Sequence, residues 1–125
     1  MEAVTRALHG RWSLHAPGGV LAARLTVAAT PLRRMRGLLW RPVLRPGEAL
    51  LLHPCSQVHT FGMRYVIDAV FCDAQLRVVA VHTLPPWRLS RTYRQARCCI
   101  EAPAGSASAA AVVEGCRLDL VEESG

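Results

Sequence analysis

At 125 residues, with 51% hydrophobic and 19% charged, the chain has the balance of a folded globular protein and the length to bury a core without metal or disulfide staples. Its formal charge is +6, but all fifteen basic residues are Arg and neither Lys nor Asn occurs, which reads as codon bias more than as selection for phosphate binding. The lack of Lys excludes a P-loop and Schiff-base catalysis, and no Gly-x-Gly-x-x-Gly stretch offers a nucleotide cradle.

Residues 1–19 read as an N-terminal extension or edge strand, 20–122 as one globular domain, and 123–125 as a tail. The opening stretch lacks the apolar run and small-residue cleavage site of a signal peptide. Arg24 interrupts the apolar run at 18–30, well short of the roughly twenty residues that span a bilayer, so no membrane span and a cytoplasmic location are expected. A first strand is predicted over 11–16, then a turn at Pro17-Gly18-Gly19 and a second strand over 20–28. Thr30-Pro31 caps a helix through Leu39, with Leu32, Met35, Leu38 and Leu39 toward the core and Arg33, Arg34 and Arg36 toward water.

Glu48 to His53 reads as a strand stopped by Pro54. A hairpin follows, with strands over 66–72 and 76–83 and a three-residue turn at Asp73-Ala74-Gln75. That turn sets Cys72 opposite Leu76, Asp68 opposite Ala80, and His82 opposite Val66 on the face of Asp68. After Pro85-Pro86 come a strand over 97–102, a short helix from Ser106 to Val113 and a last strand over 116–121. The expected fold is β-rich α+β, a mostly antiparallel compact sheet or small barrel with two short helices.

Within 66–72, alternation places Val66, Asp68, Val70 and Cys72 on one face and Ile67, Ala69 and Phe71 on the other. Asp68 therefore points into an apolar layer, where a carboxylate is costly unless donors gather around it. His59, Thr60, Arg64 and the backbone amides of the 59–64 loop are the expected donors. Met63 and Phe61 flank Gly62 and can line a ligand slot beside them. His59, Thr60, Met63, Arg64, Asp68 and His82 thus form the candidate ligand-binding set. As a structural group, Asp68 would tie down the loop amides; as a functional one, it would sit at the floor of a polar pocket.

The five Cys residues, at 55, 72, 98, 99 and 116, form no disulfide framework and suit a reducing compartment. His53, Cys55 and His59 have a spacing that can bring three zinc ligands together, although it is no established zinc signature. No cofactor other than this candidate zinc is expected. Trp12, Trp40 and Trp87 are dispersed and read as packing anchors rather than a stacking platform, so nucleic acid is not an expected partner. Arg88, Arg91, Arg94 and Arg97 recur every three residues, a spacing that polyproline II geometry would gather along one edge to meet an acidic protein.

Several motifs together carry a family resemblance: Gly37-Leu38-Leu39, Val58-His59-Thr60-Phe61-Gly62-Met63-Arg64, Ile67-Asp68, Phe71-Cys72-Asp73, Pro85-Pro86-Trp87-Arg88 and Ile100-Glu101-Ala102-Pro103-Ala104-Gly105. In that order they resemble the bacterial and archaeal family catalogued as domain of unknown function 192, over about residues 20–122. The resemblance implies a compact domain whose signature surrounds Met63 and Asp68, and it assigns no activity, cofactor or catalytic set. Val66, where many relatives have proline, and Ala74-Gln75, where a glycine turn is common, depart from the pattern. The expected function is a cytosolic binding or accessory domain with a polar pocket around Asp68, for an unknown small molecule. The alternatives are a hydrolase-type enzyme using Asp68 or Cys55 with His59, and an interaction module using the Arg-rich 88–97 loop.

Overall fold

Eight strands and two short helices build two sheets in a computed structural model that describes residues 2–28 and 43–123. Strands β1 (Trp12–Ala16), β2 (Gly19–Ala22) and β8 (Asp119–Glu122) form a three-stranded antiparallel sheet in the order β2-β1-β8. Strands β3 (Arg24–Ala28), β4 (Glu48–Leu52), β5 (Ile67–Cys72), β6 (Val78–Leu84) and β7 (Cys98–Pro103) form a second sheet in the order β3-β4-β7-β5-β6. Helices α1 (Ala3–Arg6) and α2 (Ser106–Ala109) complete the described elements. The fold is β-rich α+β, as expected, and neither sheet closes into a barrel. The helix expected over 30–39 lies outside the described residues.

Two apolar layers cover the five-stranded sheet. One face, with Leu51, Val70, Cys72, Cys98 and Ile100, packs against Leu14 and Leu21 of the smaller sheet, Val4 of α1 and Ala107 of α2. The other, with Leu50, Leu52, Ala69, Phe71 and Cys99, is covered by Val58 and Ala96 from flanking loops. Because β5 lies between β7 and β6 and both its faces are covered, all of its residues are buried. This explains its nearly continuous apolar sequence.

Three local outcomes differ from expectation. Residues 2–16, expected as an extension or edge strand, supply α1 and the middle strand of the smaller sheet, with Val4 and Leu14 fully buried. The strand expected over 20–28 breaks at Ala23, and its halves join different sheets. β3 also runs parallel to β4, an exception to the antiparallel pairing that short hairpin connections favour.

In the β5–β6 hairpin, Asp68 faces Thr83 rather than Ala80, and His82 faces Ala69. Asp73 Oδ1 accepts from the amides of Gln75 and Arg77, both at 2.9 Å, which stabilises a turn longer than three residues. Leu76 takes a left-handed φ of 61° and turns into the core with no exposure. A bulge between Phe71 and Cys72 adds to the shift. The displacement is odd in residue number, so His82 lands on the face opposite Asp68.

The Pro17-Gly18-Gly19 turn packs so tightly on the end of α2 that the Gly18 amide donates to Ala110 O at 2.9 Å. A Cβ on Gly18 would lie 2.7 Å from Ala111 Cβ and 2.8 Å from the Ala110 carbonyl. Gly18→Ala is expected to lose about 1–2 kcal/mol in a urea melt through this overpacking. An unchanged midpoint would show that the turn can move away from α2.

Candidate functional site

Asp68 is 2% exposed and both of its oxygens are occupied. Oδ1 accepts from Thr83 Oγ1 at 2.8 Å. Oδ2 accepts from the backbone amides of Gly105 and Ala107, each at 3.0 Å. The cross-strand register supplies the first donor and the turn entering α2 supplies the other two, so the carboxylate fastens α2 to the sheet. The donors expected from the 59–64 loop are not these groups. A recess of about 280 Å³ lies beside Asp68, walled by Val81, Thr83, Val112 and Val113. His59, Thr60, Met63, Arg64 and His82 do not line it.

The six candidate ligand-binding residues therefore divide among separate places. Thr60, fully buried, donates its hydroxyl to Pro85 O at 2.6 Å and accepts from the Arg88 amide at 2.8 Å. His59 stacks on Phe61, whose amide donates to His59 Nδ1 at 3.2 Å. Met63 is buried while Arg64 is exposed. His82 lies on the other side of the sheet from Asp68, where its Nε2 bonds Tyr93 Oη and its ring stacks on Tyr93 at 5.6 Å.

The loop 53–66 and the segment 85–97 are zipped together along their length. Cys55 N donates to Arg97 O at 3.0 Å, Tyr93 N to Ser56 O at 2.8 Å, Ser90 N to Val58 O at 2.9 Å and Thr60 N to Arg88 O at 2.8 Å. Side chains reinforce the seam: Gln57 Nε2 donates to Ser90 O, and Val58 N to Ser90 Oγ. An open cleft of about 490 Å³ lies at one end, lined by Cys55, Ser56, Gln57, Thr92, Arg94 and Arg97. This volume is in the range of small-molecule sites, and its lining includes residue types that donate hydrogen bonds. A turn in which Ala96 N donates to Tyr93 O breaks the uniform polyproline II geometry expected for the four arginines. Of the four, Arg94 and Arg97 line the cleft.

No group of three or more His, Cys, Asp and Glu among the described residues is arranged to hold a metal ion. His53, Cys55 and His59 are therefore not drawn into the tetrahedral set that their spacing allowed. Cys55 Sγ instead donates to Gln57 O at 3.2 Å. All five cysteines are free thiols. Cys72 faces Cys98 across β5 and β7, and the hydrogen bond with Cys98, together with burial, holds the Cys72 thiol well above its ordinary range. Iodoacetamide is expected to modify half-buried Cys55 and Cys116 and to spare Cys72, Cys98 and Cys99 until the chain unfolds. Since the fold keeps the Cys72 proton that the unfolded chain releases at about pH 8.5, this group's contribution is complete below that pH and declines above it. Rapid labelling of Cys98 in the folded protein would contradict this packing.

Glu101, 1% exposed in β7, is a second buried carboxylate, outside the candidate set built around Asp68. The signal was the same, an acid within the apolar run Cys98-Cys99-Ile100-Glu101-Ala102. Trp87 is 66% exposed and stacks on Phe61, so it is no packing anchor.

These features define a β-rich domain with a buried acidic anchor and a hydrogen-bonded, Arg-bearing loop pair. The family model DUF192, described as "Uncharacterized ACR", matches residues 14–120, and the chain belongs to that family. A UPF0127 protein of Pyrococcus horikoshii is 44% identical over 85 residues, covering 63% of this chain and 71% of the relative. A solved protein of unknown function from Novosphingobium aromaticivorans superposes with a TM-score of 0.72 at 16% identity, covering 87% of this chain and 83% of its own. A Sinorhizobium meliloti structure, provisionally named a transcription regulator, also gives 0.72, at 20% identity and covering 88% and 92%. At such identities the two structures share the fold, and their names remain their own. No described helix is long and apolar enough to cross a membrane.

Proposed function

We propose that the protein is a small cytosolic binding or accessory domain that recognises a carboxylate-bearing small molecule or acidic protein segment, with Asp68 as its structural anchor. The carrying observation is the cleft of about 490 Å³ in which Arg94 and Arg97 stand beside Ser56, Gln57 and Thr92. Guanidinium groups pair with carboxylates through two parallel hydrogen bonds, and hydroxyl and amide donors add orientation. The zipped backbone supports the reading because a preorganised site spends less binding free energy on ordering its loops. The hydrolase reading through Asp68 has weaker support, since the Asp68 oxygens already accept three hydrogen bonds.

Citrate and an oligoglutamate peptide are suitable probes. A bound ligand at a hundred times its Kd should stabilise the folded chain by about 2.7 kcal/mol. Arg94→Gln with Arg97→Gln should remove that shift while preserving the unliganded melting point. The proposal fails if neither probe shifts the melt, or if the double variant responds as the parent does.

A further inference from the structure

The same loop pair carries a second surface, made of residues that do not line the cleft. Phe61, Trp87 and Leu89 are 45%, 66% and 58% exposed. His59 stacks on Phe61 with ring centres 5.0 Å apart, and Phe61 stacks on Trp87 at 6.3 Å. An antiparallel bridge sets Leu89 opposite His59, and opposed residues place their side chains together on one face. Leu89 therefore extends the row. Apolar groups scattered singly over a surface need no explanation, whereas a contiguous row marks an interaction site.

The row is also fixed in place. Trp87 has a φ of 63°, in the left-handed region that a bulky residue rarely occupies. Its amide donates to Thr60 O at 3.0 Å, and the next amide, of Arg88, donates to Thr60 Oγ1 at 2.8 Å. The backbone is thus strained and held, and the indole it presents is left mostly in water, a pattern found where strain serves a site. Arg64, Arg88 and Arg91 are exposed within a few residues of the row, and the chain carries a net charge of +6. The complementary surface is anionic.

We propose that this row is a peripheral docking surface for an anionic lipid bilayer. Trp87, Phe61 and Leu89 enter the boundary between headgroups and acyl chains, and Arg64, Arg88 and Arg91 meet the lipid phosphates. Trp is suited to that boundary because its ring is apolar and its N–H finds a partner there. Two features favour lipid over single-stranded nucleic acid. The rings stack on one another and so cover faces that bases would need, and Leu89 adds aliphatic area in place of a stacking surface. With three apolar groups in the row, binding through it is reversible and depends on lipid charge. The inference does not rest on the Arg94–Arg97 cleft.

Flotation of the full chain with vesicles tests it, using an equimolar mixture of phosphatidylglycerol and phosphatidylcholine beside pure phosphatidylcholine. The chain should float with the anionic vesicles alone, and less so as salt is raised. Trp87→Ser with Leu89→Ser should lower the partition coefficient by about tenfold or more. Should that double variant unfold, tryptophan emission remains informative: the parent should shift to the blue on anionic vesicles, and Trp87→Phe should float without that shift. Lack of flotation overturns the proposal, as does flotation that the double variant leaves unchanged or a blue shift that Trp87→Phe retains. Tight binding of an oligothymidylate without flotation would give the row to nucleic acid and also overturn it.

Discussion

Asp68→Ala should lower the unfolding free energy by about 3 kcal/mol. Truncation removes the acceptor of Thr83 Oγ1 and of the amides of Gly105 and Ala107. The Thr83 hydroxyl can turn toward water because Thr83 is exposed. Ala107 cannot do the same, being 3% exposed under the 104–110 turn, and a buried amide without an acceptor bears its full desolvation cost. Asp68→Asn should lose only about 1 kcal/mol, since its amide oxygen can accept both backbone N–H groups while its NH2 donates to Thr83 Oγ1. Urea midpoints of the two variants distinguish an anchor from a strained functional carboxylate. If Asp68→Ala were as stable as the parent, or more stable, the carboxylate would belong to a site that trades stability for function.

The inward position of Asp68 was legible because strand periodicity is local. Alternation over 66–72 requires no knowledge of distant partners, and the faces it assigns match the two apolar layers that contain Val70 with Cys72 and Ala69 with Phe71. The identity of its donors was not legible. Thr83 arrives through a register set by the Asp73 side chain, by a left-handed Leu76 and by a bulge, none of which hydrophobic pattern encodes. Gly105 and Ala107 lie 37 and 39 residues away in sequence and arrive through the packing of α2. The same limit explains His82, which a shift of odd length moved to the opposite face. The split at Ala23 was hidden for another reason: β2 and β3 are both apolar enough to read as one strand, and only the change of sheet separates them. The exposed aromatic row was hidden because Phe61 and Trp87 are 26 residues apart, and the zipped loops alone bring them into contact.

Thr60→Val is expected to destabilise the protein by about 2 kcal/mol and to loosen the 85–91 segment more than the sheets. Valine fills nearly the same volume, so the loss isolates the hydroxyl, which donates to Pro85 O and accepts from Arg88 N at a fully buried position. Both backbone groups would be left without their partner next to the strained Trp87 peptide. The backbone bonds from Thr60 N to Arg88 O and from Trp87 N to Thr60 O would remain, keeping the loops attached but less firmly held. Amide exchange at Trp87 and Arg88 should therefore accelerate well beyond that in β5, and Thr60→Ser, which retains the hydroxyl, should restore most of the protection. Equal exchange in the Val and Ser variants would mean that the backbone bonds alone position Trp87. In that case the outward indole would owe its geometry to the chain path rather than to Thr60.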